Sequence, residues 1–354
     1  MVTEPNPYGG EVTVDLSAIT ANWLELCERH QSGHVGAVLK ADAYGLGAGP
    51  VGKALATATC WNFFVAQLAE GVALRRTLSH GPMIAVLGGF GPGADQGAGL
   101  TPVLNTPQDV DAHRTAGTQG AILHVDTGME RLGLNAEQLA QCGDLTGLRL
   151  RYVMTHLACA DNPVDPMNSA QAARFAAARA RLPGVAGSFA NSSGIFLGET
   201  FGSELARPGC ALYGINPTPG RRNPMRQVMR LTVPVLQIRD VAAGTPVGYG
   251  ATWVAKRDSR VATIAAGYAD GYLRHLSGRG IAIAAGREAP IVGRVSMDLI
   301  TLDVTDVPEL RQGDRVELIG PHQTPDQVAD LAGTIGYEVL TSLGARYARR
   351  YTTA

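Results

Sequence analysis

The sequence has little charge, few aromatic residues and few cysteines. Of its 354 residues, 17% are charged and 6% are aromatic, and 30 basic residues are balanced by 31 acidic ones. A chain so close to neutral lacks the broad basic surface of a general nucleic-acid-binding protein, so no nucleic-acid partner is expected. Hydrophobic residues make up 45% of the chain, which excludes a disordered protein and supplies cores for about two domains.

The five cysteines are scattered along the chain, and no two of them form a CxxC pair. They predict reduced thiols rather than disulfides or a zinc site, and no metal is expected. No segment approaches the roughly 20 apolar residues that cross a bilayer, and the first residues show no basic stretch followed by an apolar run. We therefore expect a cytoplasmic protein without a membrane partner.

One pattern repeats between about residues 11 and 215: a short apolar run is followed by a longer stretch rich in Ala, Leu, Glu and Arg. Strands that alternate with helices pair in parallel, and eight such units predict a (β/α)8 TIM-like barrel. A doubly wound open sheet is the competing fold, although no GxGxxG motif follows the first strand. The apolar runs lie at 34–40, 61–67, 83–89, 101–105, 121–126, 150–158, 185–192 and 204–214.

The pattern changes at residues 214–227, which are rich in Pro, Gly and Arg. The segments beyond alternate apolar and polar residues and are separated by turn residues, which predicts a mainly antiparallel β domain. Near the end, Thr324 and Pro325 fit the N-cap and first position of a helix. The predicted domains are therefore a barrel over residues 1–228 and a C-terminal β domain with a terminal helical segment over residues 229–354.

A lysine stands where the first predicted barrel strand ends, in VLKADAYGLG. Active sites of such barrels lie at the C-terminal ends of the strands. Burying an ammonium group on an apolar strand is costly unless its pKa falls or the amine becomes an imine. Lys40 is therefore a candidate Schiff-base lysine, and a lysine that merely snorkels at a strand end is the equal alternative at this point.

Five sequence blocks in the same order resemble the motifs of the alanine racemase family, and the resemblance extends from Val12 to Arg349. It implies a pyridoxal-phosphate-dependent isomerase with an N-terminal barrel and a C-terminal β domain, the layout that the sequence pattern also predicts. The blocks are AVLKADAYGLG, HVDTGMERLGL, THLACAD, NSSG with ARPGCALYG, and VGYGATW with GYADGY and GRVSMD.

The resemblance implies two catalytic residues, Lys40 and Tyr249. Lys40 would hold the cofactor and act as the base on one face of the substrate Cα, and Tyr249 would act on the other face. Because a tyrosine with a pKa near 10 is a poor base at neutral pH, His156 and Arg207 are expected to assist it. Considered without the family, Tyr249 is better interpreted as a strand tyrosine that packs its ring.

Arg207 is expected to face the ring nitrogen of the cofactor. An arginine is always charged, so it can only donate a hydrogen bond and leaves that nitrogen unprotonated, which favours proton exchange over transamination. A buried salt bridge is the alternative interpretation of Arg207. The further cofactor-binding residues that the resemblance implies are Tyr44, Arg131, His156, Ser192, Gly209 and Cys210.

The predicted substrate-binding residues are Arg131, Tyr268 and Met297, the last through its backbone N–H. Met297 as a core residue and Ser192 as part of a local turn are the alternatives. Matches to the family's charged approach corridor are Asp161, Arg274 and Arg294.

Two positions depart from the family pattern. Many members carry a carbamylated lysine where this chain has His124, and because a histidine cannot carry a carbamate, another group must orient Arg131. The additional phosphate-binding tyrosine of the family aligns with Ala345, and whether Tyr347 replaces it is open.

Lys40 and Tyr249 fall in different predicted domains, so the resemblance implies a homodimer with shared active sites. The expected function is the interconversion of L-alanine and D-alanine for peptidoglycan synthesis, and a broad-specificity or serine-preferring racemase is the alternative. Three other classes of protein fit the sequence less well. A decarboxylase of basic amino acids leaves Tyr249 without a role, and a cofactor carrier does not need the β domain. A metal-dependent hydrolase would need a ligand motif such as HxH on the first strand.

Overall fold

A computed structural model describes residues 9–91, 99–116 and 120–353. These residues form two compact units. One unit is Ala18–Arg226, and the other combines the chain up to Ser17 with Gln227 and the residues that follow. The change of unit at Gln227 lies close to the predicted boundary.

The elements of both units are numbered in chain order. The strands are β1 (Glu11–Asp15), β2 (His34–Val35), β3 (Ala37–Val38), β4 (Asn62–Val65), β5 (Met83–Val86), β6 (Thr101–Leu104), β7 (Ala121–His124), β8 (Leu150–Met154), β9 (Ala186–Ser188), β10 (Leu205–Ala206), β11 (Met229–Val241), β12 (Pro246–Val247), β13 (Trp253–Val254), β14 (Ser259–Ile264), β15 (Ile281–Ala284), β16 (Arg287–Val292), β17 (Ile300–Asp303), β18 (Arg315–Ile319) and β19 (Ala348–Thr352). The helices are α1 (Leu16–Arg29), α2 (Lys40–Tyr44), α3 (Ala48–Thr57), α4 (Leu68–Leu78), α5 (Pro107–Ala116), α6 (Ala136–Gln141), α7 (Pro166–Ala180), α8 (Pro325–Ala332) and α9 (Gly336–Ser342). Short 3-10 helices lie at Thr146–Leu148, Gly194–Phe196, Glu199–Phe201, Cys210–Tyr213, Tyr249–Ala251, Tyr268–Asp270 and Arg274–Leu276.

The first unit is the predicted barrel, which the structure confirms. Its sheet runs in the order β2-β10-β9-β8-β7-β6-β5-β4-β3, and every neighbouring pair is parallel. The two ends of this order, β2 and β3, are halves of one strand that Gly36 interrupts. Because one half pairs with β10 and the other with β4, the sheet closes on itself.

The barrel strands and helices follow from their apolar patterns. Every residue of β5, β6 and β7 is buried, as expected for strands covered on both faces. Helix α1 buries Ile19, Trp23 and Leu26 on one side, at the spacing of an amphipathic helix. Helix α7 starts where the Asp165 carboxylate accepts the Met167 N–H at 2.9 Å, with Pro166 in its first turn.

The second unit is the predicted, mainly antiparallel β domain, which is confirmed. Its large sheet has the order β14-β17-β16-β15-β18-β11-β1-β19, and the long strand β11 also pairs with β14. Only β1 and β19 pair in parallel. Helix α8 begins as the sequence predicts, with Pro325 in its first turn and the Thr324 hydroxyl accepting the Gln327 N–H at 3.3 Å.

The N-terminal strand differs from the predicted layout. The predicted barrel domain includes this strand, but β1 pairs with β11 and β19 of the second unit. Its burial alternates, because Val12 and Val14 are fully buried while Glu11, Thr13 and Asp15 are partly exposed. A strand with one buried face suits a sheet covered on one side, whereas a barrel strand is buried on both.

None of the helices in the described ranges combines the length and apolar character needed to cross a lipid bilayer. The same ranges contain no group of three or more His, Cys, Asp or Glu side chains arranged to hold a metal ion.

The closure at Gly36 yields a stability prediction. A Cβ atom at this position would lie 2.7 Å from the Asn62 carbonyl oxygen, so we expect Gly36→Ala to destabilise the protein by roughly 1–3 kcal/mol through overpacking. Gly147→Ala is the matched control, because a Cβ there meets nothing within 4 Å. The measurement is the denaturation midpoint, and equal midpoints for the two variants would contradict the prediction.

Candidate active site

Lys40 follows strand β3 and opens a left-handed turn. The next four residues, Ala41 to Tyr44, all have φ between 52° and 56° although none is glycine. This conformation costs roughly 1–2 kcal/mol for each such residue, so the surrounding structure must enforce it. The sequence analysis identified Lys40 but not the turn, because nothing in ADAY marks these residues for positive φ.

Polar and aromatic contacts hold the turn in place. The Asp42 carboxylate accepts the Ala48 N–H at 2.7 Å, where α3 begins. The Tyr44 ring packs on the Tyr213 ring, with 4.7 Å between centroids. The Tyr213 hydroxyl donates to the Val38 carbonyl at 2.8 Å, which joins this aromatic pair to the strand that carries Lys40.

The surroundings of Lys40 lower the pKa of its amine. Burial lowers the pKa of Lys40, the Arg131 guanidinium lowers it further, and Glu70 acts in the opposite direction. A lowered pKa increases the fraction of free amine at neutral pH, and the free amine is the nucleophilic form.

Arg207 is a buried cation at the end of β10. It is 4% exposed, and its terminal nitrogens donate to the Ser188 hydroxyl at 2.6 Å and to the Thr155 carbonyl at 2.5 Å. Burial lowers the pKa of Arg207 to about 10, so the side chain stays charged at neutral pH. Over the described ranges it has no carboxylate partner, which argues against the salt-bridge alternative, and its Nε–H has no protein acceptor. A ligand atom could therefore accept that hydrogen.

Two histidines near this charge are neutral. The pKa of His124 falls to about 4 and that of His156 to about 3, first because of burial and then because of the Arg207 guanidinium. One Arg207 terminal nitrogen lies 3.5 Å from His156 Nδ1. Neutral histidines add no further positive charge beside Arg207.

The tautomer of His124 follows from its contact with Asn105. The Asn105 amide nitrogen donates to the carbonyls of Leu87 (3.0 Å) and Val103 (3.2 Å), so its oxygen faces His124 Nδ1 at 2.8 Å. Nδ1 therefore carries the hydrogen, and Nε2 is an acceptor without a hydrogen-bond partner in the described part of the chain. At the position of the family's negatively charged carbamate, this chain thus offers a neutral acceptor.

The residues predicted to bind a phosphate lie together. Ser192 Oγ accepts the N–H groups of Gly209 (2.9 Å) and Ala211 (3.3 Å), beside the 3-10 helix Cys210–Tyr213. A Cβ at Gly209 would lie 2.3 Å from the Tyr44 hydroxyl oxygen, so glycine is required for this close approach. The local turn that was the alternative for Ser192 is made by Asn191, whose side-chain oxygen accepts the Gly194 N–H at 2.9 Å.

Arg131 lies in the loop between β7 and α6, where it is exposed. The Asp126 carboxylate shapes this loop by accepting the N–H groups of Gly128 (2.8 Å) and Met129 (2.9 Å). The Arg131 guanidinium contributes to the lowered pKa values of Lys40, His124 and His156. The predicted barrel residues are thus gathered by the loops at the C-terminal ends of the strands. Asp161, which was assigned to the corridor, is exposed in a later loop of the same unit.

The predicted residues of the β unit lie at its surface. Tyr249 is 73% exposed, Met297 54% and Tyr268 41%. These exposures do not fit a packed strand tyrosine at 249 or a core methionine at 297. The Tyr268 loop packs on the Met297 loop, because the Tyr268 N–H donates to the Ser296 carbonyl at 3.0 Å. Arg274 and Arg294, the other corridor residues, are also exposed in this unit.

Tyr347, two residues beyond Ala345, is enclosed within the β unit. Its ring packs against Gly10, where an added Cβ would lie 2.4 Å away. Tyr347 is 3% exposed, and its buried hydroxyl has no hydrogen-bond partner within the residues that the structure describes. A hydroxyl enclosed in this way offers no donor at the surface of the unit.

Sequence reasoning missed the residues that support the site. The Gln171 side-chain nitrogen donates to the His156 carbonyl at 2.9 Å and to the Thr127 hydroxyl at 3.0 Å, and its oxygen accepts the Ala158 N–H at 2.8 Å. Gln171 lies within α7, and Asn105 follows β6. Neither belongs to a recognisable motif, and only the fold places them beside the histidines.

Comparison with known proteins gives one consistent family. The family model described as the alanine racemase N-terminal domain matches residues 14–217, and the one for the alanine racemase C-terminal domain matches residues 228–351. The alanine racemase of Acidiphilium cryptum is 51% identical, covering 96% of this chain and 97% of that protein. A catabolic alanine racemase of Agrobacterium fabrum is 47% identical, covering 97% and 92%.

Solved structures show the same similarity. The alanine racemase from Bartonella henselae with covalently bound pyridoxal phosphate superimposes with a TM-score of 0.93 at 40% identity, covering 98% of this chain and 100% of that one. The biosynthetic alanine racemase from Pseudomonas aeruginosa gives 0.90 at 34% identity, covering 97% and 99%.

The neutral state of His124 predicts a pH dependence of stability. The ordinary histidine pKa of 6.5 falls to about 4 in the folded protein, so between these values the unfolded chain binds more protons. The contribution of His124 to the free energy of unfolding should therefore fall by about 3 kcal/mol as the pH decreases from 6.5 to 4.

His124→Gln should flatten this decrease, measured by denaturant unfolding at a series of pH values. His80→Gln is the control, because His80 is exposed in the same unit. If the free energy of unfolding depends on pH in the same way for the wild type and for His124→Gln, the result would contradict a neutral His124.

Proposed function

This chain belongs to the alanine racemase family, and on that premise we propose that it interconverts L-alanine and D-alanine with pyridoxal 5'-phosphate as its cofactor. The observation that carries the proposal is Lys40, an amine of lowered pKa held by a left-handed turn in the unit that also contains the buried Arg207. A metal-dependent hydrolase does not need a nucleophilic lysine, and a cofactor carrier does not need the β unit.

The residues present fit this cofactor. Lys40 would bind its aldehyde, Arg207 Nε would donate to its ring nitrogen, and Tyr44, Ser192 and Gly209 would surround its phosphate. The unaccepted Nε–H of Arg207 and the close approach at Gly209 support this fit. Arg131 would contact the phenolic oxygen or the substrate carboxylate. When bound, pyridoxal phosphate supplies an electron sink that makes the substrate Cα–H acidic.

We propose that two residues of the chain move the proton at Cα, one on each face. Lys40 would accept it on one face, since a lowered pKa increases the fraction of its amine that is free to take a proton. Tyr249 would act on the other face, and its exposure makes its hydroxyl available for such a contact. His156 and Arg207 would stabilise the phenolate, which a tyrosine does not form readily without help.

A homodimer with shared active sites is part of the proposal. Lys40 belongs to the barrel unit, and the β unit would contribute Tyr249, Tyr268 and Met297 to the barrel of the partner subunit. Support comes from the large apolar side chains that the β unit leaves exposed, because aromatic residues and methionine are enriched at interfaces.

Substrate range and physiological role are proposed as follows. Alanine is the expected substrate, and a broader or serine-preferring racemase is the second candidate, because a pocket discriminates weakly against one added hydroxyl. We propose a cytoplasmic enzyme that supplies D-alanine for peptidoglycan. The catabolic designation of the Agrobacterium relative favours alanine breakdown as the alternative role.

The activity is tested by solvent-deuterium exchange at Cα across alanine, serine and other small amino acids. We expect exchange with loss of optical purity and alanine as the fastest substrate. Borohydride reduction should fix the cofactor on the peptide that contains Lys40. The Lys40→Ala variant should lose both the exchange at Cα and this covalent labelling. Covalent cofactor in Lys40→Ala, or a wild type that exchanges no amino acid, would overturn the proposal.

The shared site is tested by mixing two inactive variants, Lys40→Ala and Tyr249→Phe. If each site combines residues of two subunits, random exchange gives hybrids with one intact site, and about a quarter of wild-type activity should return. Size-exclusion chromatography tests for the dimer. Each variant on its own is the control, because its homodimer contains no intact site. Full activity of a monomer, or no recovery despite proven subunit exchange, would exclude the shared site.

A further inference from the structure

Glu70 makes three backbone contacts with one carboxylate. Oε2 accepts the N–H groups of Ala66 at 2.8 Å and Gln67 at 3.0 Å, at the start of α4. Oε1 accepts the Ala41 N–H at 2.7 Å, across 29 residues of sequence. Hydrogen bonds to a carboxylate are stronger than those to a neutral acceptor. One side chain therefore joins the start of α4 to the residue that follows Lys40.

The bond to Ala41 goes beyond the capping of α4. A capping carboxylate in the first turn of a helix needs only to reach the N–H groups just before that helix. Gln138 does this at α6, where its side-chain oxygen accepts the Asn135 N–H at 3.1 Å. The second oxygen of Glu70 instead serves a distant segment, so its position is not explained by helix capping.

The Ala41 N–H needs an acceptor from outside its own turn. Ala41 is the first of the four left-handed residues, and the first N–H groups of a helical turn have no partner within it. Removing Glu70 would leave this donor without its acceptor at the point where the chain leaves Lys40.

We propose that Glu70 is a positioning residue for Lys40: its carboxylate fixes the Ala41 N–H and thereby holds the left-handed turn that orients the lysine amine. Its negative charge also counteracts the effect of burial and Arg131 on the pKa of Lys40. The consequence for cofactor binding rests on the function proposed above, whereas the effect on the turn does not.

The test compares Glu70→Asp and Glu70→Ala with Gln138→Ala in the full-length protein. Aspartate keeps the charge and can still cap α4, but it is one methylene too short to reach Ala41 as well. Gln138→Ala removes a capping side chain from the same unit without contacting the Lys40 turn.

The first readout is hydrogen exchange of the Ala41 amide in cofactor-free protein labelled with 15N-alanine. Both Glu70 variants should speed this exchange at least about tenfold, as expected for loss of a hydrogen bond to a charged acceptor. Gln138→Ala should leave it within about twofold of wild type, even if its melting temperature falls as far as that of Glu70→Ala.

The second readout is uptake of pyridoxal phosphate, measured as dissociation constant and as the rate of borohydride trapping on Lys40. Glu70→Asp should raise the dissociation constant and slow the trapping, each at least about tenfold, while the variant retains most of its thermal stability. Unchanged Ala41 exchange and unchanged trapping in both Glu70 variants would show that Glu70 is only a cap. A wild type that takes up no cofactor, while Ala41 exchange still depends on Glu70, would refute the proposed function but not the positioning of the turn.

Discussion

The barrel unit is organised around one buried charge. The Arg207 guanidinium is 4% exposed and is held by the neutral oxygens of Ser188 and Thr155, with no carboxylate beside it over the residues described. A buried cation without a counter-ion is unfavourable, so such an arrangement persists where a fixed donor is needed. The side chain is rigid because two hydrogen bonds fix its terminal nitrogens, and this leaves Nε as the donor for a ligand.

Burial and the charge of Arg207 together set the protonation state of the neighbouring histidines. They keep His124 and His156 neutral, with pKa values of about 4 and 3. Arg131 supplies further positive charge, which also lowers the pKa of Lys40. A site of this composition favours ligands with phosphate or carboxylate groups, which agrees with a phosphorylated cofactor and an amino-acid substrate.

The sequence was sufficient to predict the architecture, and it named the residues that are proposed to act directly. Alternating apolar and helical segments predicted the barrel, and Lys40 stood out because a lysine ends an apolar strand. Strand β1 was assigned to the wrong unit, because its pairing with β11 and β19 joins distant parts of the chain. The supporting contacts were not predictable either. Glu70 meets Ala41 across 29 residues and His124 meets Asn105 across 19, and it is the pairing of β3 with β4 and of β6 with β7 that brings these residues together.

The most direct test of this account is the protonation state of the cofactor ring nitrogen. Pyridoxal phosphate labelled with 15N in the ring, bound to the wild-type protein at neutral pH, should give the NMR signal of an unprotonated pyridine, because an arginine donates a hydrogen bond but keeps its proton. A pyridinium signal would contradict the account, since it would require an acceptor where the structure has the buried guanidinium of Arg207.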